Sequence, residues 1–251
     1  MFGLYLVAGA LTGLVAAGGA SVVWILAPFF LLAARHLGAY DAVGISLAVE
    51  FVLYLFLFCM KGSACRPNWK TLIVGTVPLI VGTVVGGYVS KEIPAQIFQW
   101  ILFGSTLIAG VVMFVCGKNM FGQKEEEAAV PYRPWRYVWW MLLVGLLSGT
   151  FGLGSALIAV LIVSGRKRLA VHMELDTGIF FIALSAMVGY LMHSVCGTVN
   201  LLEVVVCAAF ALAAFRLVTV FMNAKTNVYT KLVGAILLIA VVIFVPIYLF
   251  V

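Results

Sequence analysis

Apolar residues run along this chain in blocks too long and too uniform for an amphipathic surface helix or a half-buried strand. A membrane-spanning helix needs about 20 mostly apolar residues, and blocks of that kind occupy residues 39 to 60, 70 to 90, 94 to 116, 173 to 193, 199 to 222 and 227 to 250. These read as ordinary crossings. Two further blocks do not fit. Residues 2 to 34 are apolar for too long and carry Gly18-Gly19 near the middle, and residues 136 to 164 carry Gly152-Leu153-Gly154. Adjacent glycines weaken a helix and let the backbone turn, so each block is either one long tilted helix or two half-helices that meet inside the bilayer.

Loop charge separates these alternatives, because cytoplasmic loops collect Lys and Arg. If both odd blocks are single crossings, Lys61, Arg66, Lys70, Lys118, Lys124, Arg133 and Arg136 lie on one side, against Arg35, Lys91, Arg166, Lys167, Arg168, Lys225 and Lys231 on the other. That division carries no bias. If both blocks are re-entrant hairpins, entering and leaving on one face, only Arg35 and Lys91 remain on the poor side. Two pairs of very short crossings give the same division, but ten residues from 155 to 164 span only about 15 Å at about 1.5 Å per residue, which favours re-entry. Both termini are then expected to face away from the cytoplasm. No Lys or Arg precedes the first apolar block, so that block is expected to stay in the mature protein.

The chain also repeats itself. Gly9, Gly13 and Gly18 align with Gly145, Gly149 and Gly154, and Thr12 falls on Ser148; further on, Gly44-Ile45 matches Gly178-Ile179 and Asn68 matches Asn200. A first transmembrane repeat of residues 1–116, a cytoplasmic linker of 117–135 and a second repeat of 136–251 follow. One hairpin plus three crossings is an odd number of passages, so the copies must insert in opposite directions. The expected fold is an all-α polytopic membrane protein of two inverted repeats, an arrangement found in transporters that bind near the midplane at the repeat interface.

Composition agrees and excludes other classes. Hydrophobic residues make up 65% and charged residues 10%, against about 45–50% and about 25% in globular chains, and the mean hydropathy is +1.21. A soluble domain, a disordered chain, a nucleic-acid module and a disulfide scaffold are all ruled out. The formal charge of +6 sits in short loops, where it reports orientation. The five cysteines are scattered without metal-ligand spacing, so neither a metal nor another cofactor is expected. No GxxxxGK[ST], HExxH or GxSxG motif occurs, which argues against ATP drive within this chain and against an enzyme. Trp69, Trp100, Trp135, Trp139 and Trp140 fall near segment ends, as an aromatic belt would place them.

The glycine-rich openings of the two halves, Pro28 after the first, the AVGISLA stretch at 42–48 and the run NWKTLIVGTVPLIVGTVVGGYVSKEIP at 68–94 resemble the sulfite exporter TauE/SafE family over nearly the whole chain. The resemblance implies a secondary transporter of sulfite, a sulfonate or a related small organic anion, multi-pass in a bacterial inner membrane. Its partners would be the lipid bilayer and a small anion, with no nucleic acid; oligomeric state stays open. This chain departs from the family pattern at Ser155, where a further glycine is expected after Gly154, and at Glu50, where a small or apolar residue is expected. The late glycines Gly82, Gly86 and Gly87 of the first half also face Ala214, Val218 and Thr219 in the second.

A small anion must shed water at the midplane, and half-helix N-termini offer backbone N–H groups and a positive dipole end in its place. The expected substrate site is Gly18, Gly19, Ser21, Gly152, Gly154 and Ser155, with Thr12 and Ser148 as hydroxyl donors. For Gly9 and Gly13 close helix packing is the simpler role. Glu50 lies halfway along its helix, and an intramembrane carboxylate is either a proton-coupling group or a protonated acid bonded across helices. His172 and His193 read as interfacial, Arg216 as snorkelling to the headgroups, and Asp176 and Glu174 as helix N-terminal charges. A passive anion channel and a membrane scaffold subunit without transport activity are the competing functions.

Overall fold

The computed structural model describes residues 7–13, 23, 26–27, 38–61, 66–116, 134–155, 157–158, 175–196, 201–221, 232–233, 235–236 and 239. Among them the regular structure is helical throughout. The long helices are α1 (Ala39–Lys61), α2 (Trp69–Glu92), α3 (Ala95–Cys116), α4 (Pro134–Phe151), α5 (Leu175–Cys196) and α6 (Leu201–Phe221). Helices thus occupy five of the expected blocks to within a few residues at their ends. The sixth, 227 to 250, falls mostly outside the described residues. Four helices, α1, α2, α5 and α6, are long and apolar enough to cross a membrane, with mean hydropathies of 1.7 to 2.3.

Helix is the form this sequence must take in lipid, because it satisfies every mid-segment backbone group internally. The start of α2 shows how a helix end is closed: the Asn68 side chain accepts from the Thr71 N–H at 3.3 Å, which replaces one missing intrahelical bond. The Asn68 N–H donates to Thr177 Oγ1 at 2.8 Å, and the Arg66 N–H donates to Asp176 Oδ2 at 3.0 Å. Asp176 therefore does more than complement a helix N-terminus. It ties the beginning of α5 to the beginning of α2.

The outward faces are those of a protein solvated by lipid. On α2 the large side chains Ile73, Val77, Val81, Val85 and Tyr88 are exposed, Ile73 to 74%, at the three-to-four-residue spacing of one helix face. Its buried face is mostly small, with Thr71, Gly75, Gly82, Thr83, Gly86, Gly87 and Ser90 beside Leu72 and Leu79. Thr83 hides its hydroxyl by donating to Leu79 O at 2.8 Å. Trp69, Trp100, Trp135 and Trp139 are all exposed. Trp135, Arg136, Trp139, Trp140 and Leu143 line an open cavity of about 490 Å³ beside the start of α4, as interfacial aromatics do.

That small face receives α4 in the most extensive helix contact of the described chain. A Cβ at Gly145 would strike Leu79 O and lie 2.9 Å from Thr83 N; one at Gly149 would strike Thr83 O and lie 2.8 Å from Gly87 N. Reciprocally, Gly82 meets Leu142 O and Gly86 meets Leu146 O. The register rises together on both helices, so α4 runs parallel to α2. Residues 7–13 meet α6 in the same manner: a Cβ at Gly9 would lie 2.7 Å from Cys207 O and one at Gly13 would lie 2.7 Å from Ala214 Cβ, again in parallel.

Contacts at both ends fix the remaining directions. Helix α5 is parallel to α2, since Thr177 meets Asn68 and a Cβ at Gly87 would lie 2.8 Å from Met192 Cβ. It is antiparallel to α1, since Tyr40 stacks on His193 at one end and Phe58 meets Phe180 at the other. Helices α4 and α5 are consequently parallel to each other, so the chain between Phe151 and Leu175 must return to the side from which α4 set out.

Gly145→Ala puts a methyl group against Leu79 O and is expected to lower stability by about 1–3 kcal/mol. Gly104→Ala, where a Cβ meets nothing within 4 Å, is expected to be neutral or to stabilise by up to about 1 kcal/mol through helix propensity. Thermal unfolding of the two variants in one detergent checks the contrast.

Candidate functional site

The second glycine-rich block is broken where the sequence places the break. Helix α4 ends at Phe151, and Gly152 takes φ +73°, the left-handed conformation that glycine adopts without strain. The Gly152 N–H still donates to Ser148 O at 2.9 Å, but the Leu153 N–H reaches back to Leu147 O at 3.1 Å. Helix resumes at Gly154, and the Leu157 N–H donates to Leu153 O. A second helix N-terminus thus begins at Gly154-Ser155. Such an end directs N–H groups and a positive dipole along its axis.

This end is buried. A Cβ at Gly152 would lie 2.9 Å from Val23 Cγ2 and 3.3 Å from Val43 Cγ1, so the break presses against the first glycine-rich block and against α1. Val23 and Val43 belong to a cluster with Ala27, Leu47, Phe98, Leu102 and Ala186, onto which Phe151 packs. The chain turns back closely enough that a Cβ at Gly154 would strike Ser148 Cβ and lie 2.8 Å from Ser148 Oγ. Ser148 and Ser155 are 1% and 3% exposed. Gly152, Gly154, Ser155 and Ser148 are therefore gathered at one point, shielded from the protein surface.

The other expected residues are distributed differently. Gly18, Gly19 and Ser21 lie outside the described residues, as do His172 and Glu174. Thr12 is fully buried on the stretch that packs against α6, and it donates its hydroxyl proton to Ala8 O at 2.7 Å. In this arrangement Thr12 presents a ligand with lone pairs. Glu50 is 1% exposed on α1, seven residues beyond Val43 and hence about 10 Å along the helix from the break. Tyr54, one turn further, lies within electrostatic reach of Glu50. Arg216 is exposed on α6.

His193 makes contacts that its sequence reading did not anticipate. It is fully buried in the last turn of α5. Its Nδ1 lies 3.0 Å from Tyr40 O on α1, and its Nε2 lies 3.0 Å from Gly149 O on α4. The Tyr40 ring stacks over it at a centroid distance of 3.9 Å, and the Tyr40 hydroxyl reaches Gly87 O and Met192 O at 3.4 and 3.3 Å. The available signal was an ionisable residue within a long apolar block, which marks a functional position by default.

Among the described residues, the buried polar and charged side chains are hydroxyls, Glu50 and His193, with no Lys or Arg. The interior around the break can attract an anion through backbone dipoles, N–H groups and hydroxyls, and it holds one acid and one base able to exchange protons.

Gly152→Ala forces a side chain into the left-handed region and against Val23. It is expected to destabilise the protein by about 1–3 kcal/mol, measured as a lower thermal midpoint in detergent with the helical circular dichroism retained.

Comparison with known proteins adds one match. The family model described as sulfite exporter TauE/SafE matches residues 1–245. No curated protein and no solved structure matches the chain.

Proposed function

The chain belongs to the sulfite exporter TauE/SafE family, and from that premise we propose that it is a secondary transporter of a small anion, most simply sulfite, a sulfonate or a related organic anion, driven by protons. The observation that carries the reading is the buried break at Gly152-Leu153-Gly154. A helix restarting inside the protein, against a second glycine-rich block, gives an anion a dehydrated seat with no fixed cation. Ser155 and Ser148 add hydroxyls beside the N–H groups. The proposed seat extends to Gly18, Gly19 and Ser21 of the first half, with Thr12 beside them.

An inverted repeat accounts for the contacts across the two halves. Residues 7–13 pack on α6, α4 packs on α2, and the matching helices α1 and α5 pack antiparallel on each other. Each half thus lends its opening segment to the other, as a pseudo-two-fold axis in the membrane plane requires. The parallel course of α4 and α5 supports a hairpin over residues 136–174, and we extend it to the first half by the repeat. With α2, α4 and α5 all beginning on the side of Arg66, Lys70 and Arg136, that side is the cytoplasm.

Glu50 is the proposed coupling acid. Ionised, it repels an anion bound nearby in a poorly screened interior; protonated, it admits one, which makes proton and substrate binding interdependent.

Two measurements in proteoliposomes test this. Gly154→Leu drives a side chain into Ser148 and is expected to reduce sulfite or sulfonate flux more than tenfold while folded protein remains in the membrane; undiminished flux would remove the break from the site. Glu50→Gln is expected to retain anion-for-anion exchange yet lose acceleration by a pH gradient, and unchanged pH dependence would return Glu50 to a structural role. Accumulation of the anion against its own gradient distinguishes a carrier from a passive channel, and absence of any flux would favour a scaffold.

A further inference from the structure

The break in α4 leaves a carbonyl for another group to bond. In an uninterrupted helix Gly149 O would accept from the Leu153 N–H. That N–H is turned instead to Leu147 O at 3.1 Å, and the His193 ring comes to Gly149 O at 3.0 Å. The other ring nitrogen lies 3.0 Å from Tyr40 O at the start of α1. Both partners are backbone carbonyls, which can only accept. A neutral imidazole carries one N–H, so either tautomer would set a lone pair against one of the two oxygens. Only the imidazolium donates to both.

The surroundings accommodate that cation. The Tyr40 ring lies almost parallel to the imidazole, at 28° and 3.9 Å between centroids, and offers it an electron-rich face. From α1 the Asp41 carboxylate acts on the ring electrostatically. From α2 the titratable and charged groups of the nearest turns are Tyr88, Lys91 and Glu92, all exposed, with Lys91 Nζ lying over the Tyr88 ring. Helix α4 brings no titratable side chain to that end, and on α5 itself the neighbour is Tyr190, half-buried. Burial is the largest influence on the ring and opposes the charge, while two carbonyl acceptors, a π face and a carboxylate act the other way.

We propose that His193 is a proton-binding clamp: as an imidazolium it fastens the broken end of α4 to the start of α1, and on losing its proton it releases one of the two. Gly149 lies three residues before Gly152, so release at its carbonyl frees the turn that aims the Gly154 helix end. The clamped arrangement binds a proton more tightly than the released one, so acid favours clamping and rising pH favours release. Under the transporter reading, on which this coupling rests, proton binding here sets the geometry of the anion seat and supplies a buried positive charge near it.

The chain has three histidines, so replacing His36 and His172 with asparagine leaves His193 alone. Nitrogen NMR of that full-length variant, labelled in histidine and reconstituted in bilayers without added anion, reads the protonation of both ring nitrogens from about pH 5 to about pH 9. The expected result is two N–H signals at the acid end and loss of one at the alkaline end. An unchanged protonation state across the range overturns the clamp. Anion flux of the wild type over the same range separates the two ideas. A titrating ring without flux upholds the clamp and sinks the transporter reading, whereas pH-dependent flux over an unchanged ring does the reverse.

Discussion

The close approach of α2 and α4 sets the positions of most of what surrounds it. In a bilayer, apolar side chains gain little by leaving lipid for the protein interior, so helices associate through close van der Waals contact and polar bonds. Gly82 and Gly86 on one helix and Gly145 and Gly149 on the other bring backbone against backbone, close enough for many weak dispersion and Cα–H···O contacts. With that seam made, the end of α4 is held level with Gly87 of α2 and with the last turn of α5. The Gly149 carbonyl, the Gly152 turn and the His193 ring all take their positions from it.

The crossings were legible in the sequence because lipid imposes a length and an apolar composition on each helix, and α1, α2 and α3 follow that pattern to within a few residues. The break at Gly152 was legible too, since two glycines flanking one residue near the middle of an apolar block have few other uses. Less readable was the division of labour among glycines. Gly145 and Gly149 belong to the same glycine-rich block as the break, yet they serve the seam, and only the facing helix reveals that. That the His193 ring turns inward between α1 and α4 was not legible either, because its partners Tyr40 O and Gly149 O belong to other helices. Asp176 was read as a helix-start charge, while its bond to the Arg66 backbone depends on a packing of α2 and α5 that no local pattern announces.

The interior this creates is sparing with charge. Glu50 lies on α1 about two turns from the level of the break, and His193 lies at the level of α1's first turn, so acid and base approach the glycine turn from different heights of one helix. A permanent Lys or Arg would hold an anion tightly in every state and slow its departure. In the proposed transporter, backbone dipoles and a protonated His193 attract more gently while an ionised Glu50 repels, so the net attraction changes with the number of protons bound. Ser155, which stands where the family pattern suggests glycine, adds a hydroxyl at the restarted helix without adding fixed charge.

The exchange of opening segments between the halves also shapes how the chain is made. Gly82 emerges from the ribosome about sixty residues before Gly145, and Gly9 about two hundred residues before Cys207, so at about 5–20 residues per second the first seam waits roughly 3–12 s for its partner and the second roughly 10–40 s. During those intervals Gly82 and Gly86, and likewise Gly9 and Gly13, are without the partners that α4 and α6 later supply. The first half therefore enters the membrane as an unfinished surface, open to capture by an insertion chaperone or by another nascent copy, and the last crossings close it.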